Sequence, residues 1–234
     1  MNVVSPRGDV TGQPAEHAYL GWWRPDDSLP SLTGKSVKES LRMVRRPLYL
    51  VERNGSVVPE TGGTGLLGAG PAEGFPLRGY VPPCPPEQLG NLDFCSELGL
   101  RFPYLGGSMA KGISSAAMVE ELGRAGMLGF FGAAGLPLAM VEAAIERLAG
   151  SGLPYGVNLI HSPQELDLEH ALADLYIRKR VRLIEASAFL SLTLSLIRYR
   201  VHGIHRGADG TIVTPNRIIA KVSREELAIK FFGI

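Results

Sequence analysis

The run Gly106-Gly-Ser-Met-Ala-Lys-Gly112 joins a short apolar segment to an amphipathic one. Glycine tolerates φ > 0 and leaves space beside the main chain, so such a turn suits either a bound ligand or a tight connection. Spacing tests three chemistries. Gly107 and Gly112 have the separation of a nucleotide-hydrolysing phosphate loop, but Ile113 stands where a lysine must reach the β- or γ-phosphate. Ser108 and Lys111 match an SxxK nucleophile arrangement, yet no Ser-Asp-Asn or Lys-Thr-Gly follows, and Gly112 breaks the helical turn that would align the pair. Gly63-Thr-Gly-Leu-Leu-Gly68 matches GxGxxG in form, but Pro59 precedes it and Gly70-Pro71 follows where a helix must run, so a flexible loop is expected.

Metal chemistry finds little support. His161, Glu165, Asp167, Glu169 and His170 form the densest set of possible ligands, but the HExxH spacing is absent. Acidic residues in the first turn of a helix beginning near Pro163 are expected to face water. His202 and His205, in a strand-like run, are expected on opposite faces and solvated. Asn158 and Lys221 differ, because each interrupts an apolar strand-like run, Tyr155-Gly-Val-Asn-Leu-Ile160 and Ile218-Ile-Ala-Lys-Val-Ser223. A buried amide requires a partner, from a neighbouring loop or a polar ligand, and a buried ammonium must meet an anion or emerge at the strand's end.

The elements that must position these residues follow from hydrophobic periodicity. Strands are expected over 103–107, 127–131, 155–160, 181–185 and 218–223, each followed by a helix. Ser114 or Ser115 caps the first helix, with Met118, Leu122 and Ala125 on its inner face. Leu138, Val141, Ile145 and Leu148 form the inner stripe of the second helix, and Leu168, Ala171, Leu172 and Leu175 that of the third. A hairpin around Ala208-Asp-Gly210 interrupts the rhythm. Successive βα units imply parallel strands buried on both faces, in an open doubly wound sheet or part of a (β/α)8 barrel; periodicity by itself favours the open sheet.

Before residue 100 the chain is crowded with Pro and Gly, as in Val81-Pro-Pro-Cys-Pro-Pro86, and Leu48 to Val58 reads as a hairpin turning at Asn54-Gly55. Two regions are therefore expected, a partly β N-terminal region over 1–99 and an α/β region over 100–234. The 45% hydrophobic fraction is ample for a core, and a formal charge of +1 gives no general attraction to nucleic acid or an anionic membrane. Cys84 and Cys95 match no metal or redox spacing and are expected as free thiols, with Cys95 half-buried. No leader-like N-terminus and no run of about 20 apolar residues occurs, so a cytoplasmic protein is expected.

Gly106 to Gly135, Pro154 to Ile160, Ile184-Glu-Ala-Ser-Ala-Phe189, Val201-His-Gly-Ile-His205 and Ala220-Lys-Val-Ser-Arg-Glu-Glu-Leu-Ala228 together strongly resemble the PfaD family. These are trans-acting enoyl reductases of polyunsaturated fatty acid and polyketide synthases, related to nitronate monooxygenases. The resemblance extends over residues 17 to 232. It implies a flavin-binding (β/α)8 barrel, of which this chain would form the N-terminal part, about five βα units. It further implies FMN as cofactor, NAD(P)H as reductant and acyl carrier protein as partner; an open half-barrel would also expose apolar strand edges, so a homo-oligomer is a further expectation. Gly107, Ser108, Met109 and Ala110 would then pass against the flavin, Asn158 would reach it, and Lys221 would meet its phosphate. Relatives in the family continue through a Gly-Gly-His motif bearing the expected catalytic histidine. The present sequence stops at Gly233-Ile234 within the fifth unit, so a C-terminally truncated product with half a flavin pocket and no assignable catalytic residue is expected.

Overall fold

The computed structural model describes residues 19–25, 36–68 and 74–232. The chain divides into two compact units, residues 1–85 and 86–234. The boundary lies at Pro85/Pro86 rather than near residue 100. The helix at Leu92–Leu98 belongs to the second unit because its Cys95 packs with Leu100, Leu128, Phe130 and Leu183. Cys95 is accordingly buried, beyond the half-burial expected, and Cys84 is an exposed free thiol.

In the first unit, β1 (Gly21–Arg24), α1 (Val37–Leu41), β2 (Leu48–Arg53), β3 (Ser56–Glu60), β4 (Thr64–Leu67) and β5 (Phe75–Val81) build an antiparallel sheet in the order β3-β2-β5-β1-β4. The expected hairpin is β2-β3. Asn54 and Gly55 both take positive φ, 52° and 75°, as a two-residue turn of this twist requires. Thr64 to Leu67 is not the flexible loop expected of the GxGxxG match. It pairs with β1 as an edge strand, and a side chain at Gly65 would come within 2.7 Å of the Tyr49 ring. The glycine spacing therefore serves packing. Gly70 and Pro71 lie outside the described residues. Trp23, Tyr49, Val51 and Leu77 form the small core.

The second unit runs α2 (Leu92–Leu98), β6 (Leu105–Gly106), α3 (Ala116–Arg124), β7 (Leu128–Phe131), α4 (Leu138–Gly150), β8 (Tyr155–Ile160), α5 (Leu166–Arg178), β9 (Leu183–Ser187), α6 (Leu194–Val201), the short hairpin β10 (His205–Arg206) and β11 (Ile212–Val213), β12 (Arg217–Ala220) and α7 (Glu225–Phe232). Its five-stranded sheet is parallel and in chain order, β6-β7-β8-β9-β12. One sheet face carries Phe131, Val157, Leu159, Ile184 and Ala186. It packs against Val119 of α3, Val141 and Ile145 of α4, Leu172, Leu175 and Tyr176 of α5, and Leu196 and Tyr199 of α6. The opposite face carries Leu128, Phe130, Leu183 and Ile219, with Cys95 of α2 against them. A doubly wound sheet reverses its strand order and spreads its crossover helices over both faces. Sequential order with α3 to α6 on a single face is the winding of a barrel wall. The fold is α/β, an arc of a (β/α)8 barrel, and not the open sheet that periodicity favours.

Two buried tyrosines fasten helices to strands. Tyr176 Oη donates to Asn158 O at 2.7 Å, and Tyr199 Oη donates to Val181 O at 2.8 Å. Burial pushes both hydroxyl pKa values far up, so they stay neutral donors. On α4 the expected stripe is buried at Val141, Ile145 and Leu148, with Leu138 left more open. On α3 the inner face is instead Ala116, Val119, Glu120 and Gly123, and Met118 is exposed. Of the two expected capping serines it is Ser115 that accepts from Met118 N and starts the helix at Ala116. No helix among the described residues is long and apolar enough to cross a membrane.

Candidate functional site

Strand register places the polar residues of the inner face together at the carboxyl ends of the strands. Asn158 of β8 pairs with Glu185 of β9, and Glu185 pairs with Ile219 of β12, two residues before Lys221. Side chains alternate along a strand. Asn158 and Glu185 are therefore out of phase with Val157, Leu159, Ile184 and Ala186, which serve the helix-covered core. The face is apolar at Leu183 and becomes charged one step later at Glu185.

Glu185 is the centre of the site. Only 4% of it is exposed, yet its carboxylate accepts from Ser108 N at 2.9 Å and from the Ser108 hydroxyl, and Lys221 Nζ lies 3.3 Å from its other oxygen. Three charge-assisted contacts compensate the cost of burying the charge. Gly107 flanks the same group. A Cβ there would fall 3.3 Å from Glu185 Oε1 and 3.7 Å from Lys221 Nζ, so glycine lets the carboxylate pack close against the main chain.

Asn158, also buried, donates through Nδ2 to Glu185 O at 3.2 Å and to Ser187 Oγ at 2.9 Å. Its partner is the neighbouring strand rather than a loop. Lys221 both emerges past β12 and meets an anion, its N–H donating to Ala186 O at 2.9 Å. Four of the six expected site residues, Gly107, Ser108, Asn158 and Lys221, thus gather on Glu185. Met109 and Ala110 are exposed and turn elsewhere: Met109 N donates to Ser114 Oγ at 2.8 Å, and Ala110 O accepts from Ile113 N. Glu185 is not among the expected site residues. Its signal is present in the sequence, since a charge inside the apolar run Val181-Arg-Leu-Ile-Glu185 poses the same question as Asn158.

Glu169 is a correction. It does not face water but is fully buried, with Oε2 2.7 Å from His161 Nδ1 and Oε1 accepting from Thr193 Oγ1 at 3.1 Å. Burial acts to raise its pKa, but the hydrogen bonds outweigh this and hold it below the ordinary carboxylate range. His161 also stacks on Phe189 and donates its backbone N–H to Ser187 O. The pair ties the β8-α5 turn to the segment after β9.

No protein-family model matches the chain. Over 150 residues, or 63% of its length, it is 45% identical to the polyketide biosynthesis protein PksE of Bacillus subtilis. Over 153 residues, 64% of its length, it is 46% identical to a polyunsaturated fatty acid synthase polypeptide of a Thraustochytrium species. Among solved structures, the enoyl reductase domain of MlnA, from the macrolactin cluster of Bacillus amyloliquefaciens, is 46% identical over 63% of the chain, with a TM-score of 0.59. The chain is therefore similar to proteins of polyketide and polyunsaturated fatty acid synthesis, an enoyl reductase domain among them. It spans 20% of PksE, 10% of the Thraustochytrium synthase polypeptide and 34% of the MlnA chain.

Proposed function

We propose that the chain is the flavin-binding part of an enoyl reductase component of a polyketide or polyunsaturated fatty acid synthase. Its substrates would be α,β-unsaturated acyl thioesters on acyl carrier protein, its cofactor FMN and its reductant NAD(P)H. The observation that carries this reading is the gathering of Gly107, Ser108, Asn158, Glu185 and Lys221 at the carboxyl ends of parallel strands, where barrel enzymes bind their ligands. Its relation to the MlnA enoyl reductase domain supports the same assignment.

The residues present fit a flavin. Gly107, without a side chain, lets the Glu185 carboxylate and the Lys221 ammonium come close to the main chain, and these polar groups would edge the ring. A bound flavin supplies hydride transfer from NAD(P)H to the β-carbon of the thioester. Ser108, Glu185 and Lys221 would hold the ring's polar edge. Asn158, with both amide hydrogens committed to β9, would offer its carbonyl oxygen. Met109 and Ala110, exposed on the turn that follows, would contribute only main chain to the contact.

Titration of the purified chain with FMN, followed by the shift of the ~450 nm flavin band, is expected to give one-to-one binding. NADPH with a crotonyl thioester on acyl carrier protein is then expected to show coupled consumption of both. A protein that binds FMN but leaves the thioester unchanged would overturn the reaction, and one that binds no flavin would overturn the site as well.

A further inference from the structure

Resting on this flavin reading, we propose that Ser114 and Gly132 are positioning residues: they hold the main chain of Ser108 to Ala110 in place before the ligand arrives, without touching the ligand themselves. The grip is on Met109. Its N–H donates to Ser114 Oγ at 2.8 Å, and its carbonyl accepts from Ser114 N at 3.4 Å and from the Ser114 hydroxyl at 3.3 Å. One hydroxyl thereby spends its proton and a lone pair on the two ends of a single residue. Ser114 is 1% exposed, so water does not compete for these bonds. From the other side Gly132 N donates to Ser114 O at 3.0 Å, and a Cβ at Gly132 would stand 1.7 Å from Met109 O and 2.8 Å from Ser114 Oγ. The first of these is main chain and the second a buried hydroxyl, and neither can swing away. Only glycine lets the segment after β7 close on the turn.

The turn is thus bonded throughout, where connecting segments are commonly mobile. Lys111 N donates to Ala134 O at 2.7 Å and Gly112 N to Gly132 O at 2.9 Å, which sews two further amides to the same segment. Lys111 is held at a φ of 55°, a left-handed conformation that is strained for a residue with a Cβ. This order does not serve a core, because Met109 is 40% exposed and Ala110 is exposed as well. What it fixes is the neighbouring residue. Ser108, one position before the grip, gives both its N–H and its hydroxyl to Glu185, so Ser114 sets the place of the buried carboxylate at one remove. A turn already ordered in the free protein loses little conformational freedom on binding, and in this way a residue without contact adds affinity.

The test reads FMN affinity together with amide hydrogen exchange of the peptide over residues 107–114, on the full chain. In the wild type this peptide is expected to be protected before FMN is added and to change little at saturation. Ser114→Ala is expected to speed its exchange in the free protein, to weaken FMN about tenfold, as loss of one buried hydrogen bond implies, and to regain protection once FMN is saturating. Gly132→Ala is expected to move both readings further in the same direction. Ser114→Ala removes only a hydroxyl and carries the test alone should Gly132→Ala fail to fold, and the wild-type comparison needs no variant. A wild-type peptide that exchanges freely without FMN would overturn the inference. So would a Ser114→Ala variant that loosens the turn yet binds FMN as tightly as the wild type, or one that loses affinity with the turn still protected. Each of these leaves the flavin assignment standing, whereas a wild type that binds no FMN overturns the inference together with the proposed function.

Discussion

Each unit of this protein buries a glutamate beside a cation, and the two burials differ in kind. In the first unit, Glu60 is 2% exposed and Arg53 Nη2 lies 3.3 Å from it. The Arg53 guanidinium rests over the Trp23 and Phe75 rings, at 4.9 and 4.5 Å from their centroids. The cation is locked between aromatic faces, and its position is set by packing. In the second unit Glu185 is equally buried, but its cation is a half-exposed lysine at a strand end, and glycine stands beside both. A carboxylate closed on rigid partners serves the fold. A carboxylate whose cation stands half-exposed at a strand end, beside a glycine, is the one the proposed function assigns to a ligand.

The comparison is broken most forcefully through the aromatic core. Trp23→Ala removes the ring that carries Arg53 and donates its indole N–H to Gly62 O at 2.8 Å. It is expected to cost about 3 to 5 kcal/mol within residues 19–85. Because the chain forms two compact units, hydrogen exchange measured peptide by peptide is expected to show the loss in the first and near-native protection at β8 and β9. Equal loss of protection in both units would show that they fold as one, and the contrast between their glutamates would then lose its structural basis.

A smaller effect sharpens the second half of the comparison. Glu169 is a third buried glutamate, closed on His161 and Thr193 as Glu60 is on Arg53. It should behave as a structural group although it stands near the strand ends. Its pKa is depressed in the folded state, so the unfolded chain takes up the proton first as pH falls. The stabilisation is fully present above the ordinary carboxylate range and is lost as pH drops through the lowered native pKa. Glu169→Gln is expected to cost about 1 to 3 kcal/mol at neutral pH and to flatten that part of the acid-unfolding profile. Riboflavin affinity is expected to be unchanged. A variant with an unaltered acid profile and weakened flavin binding would move Glu169 from the structural class to the ligand class.

These distinctions follow lines along which the sequence was legible. The βα rhythm, the Asn54-Gly55 hairpin and β8 are local, and each is written in a few adjacent residues. The first unit's sheet was not legible beyond β2 and β3. β1 and β5 meet only across 52 to 56 residues of chain, and β4 reads as a glycine-rich loop until Tyr49 is seen to occupy the space at Gly65. The site was legible at Gly107, Ser108, Asn158 and Lys221 because glycine and polar residues stand out against apolar runs. Their convergence on Glu185 was not, since Ser108 and Glu185 are 77 positions apart and only the strand order brings them together. The same limit applies to barrel and open sheet, which share a rhythm and differ in which faces the helices cover.

The smallest expected effect tests a boundary that a single residue decides. Periodicity places Met118 on the inner face of α3, yet Val119 turns inward and Met118 is left 37% exposed. Met118→Ala is therefore expected to change stability by no more than about 0.5 kcal/mol, as surface substitutions do. Val119→Ala, at 1% exposure, is expected to cost about 2 kcal/mol. Urea unfolding of the two variants measures the difference directly. If Met118→Ala proved the costlier, α3 would be rotated relative to the sheet. The turn from Gly107 to Ser114, which α3 anchors through the Ser114 hydroxyl on Met109, would then approach Glu185 differently from the arrangement that gives Ser108 its two bonds.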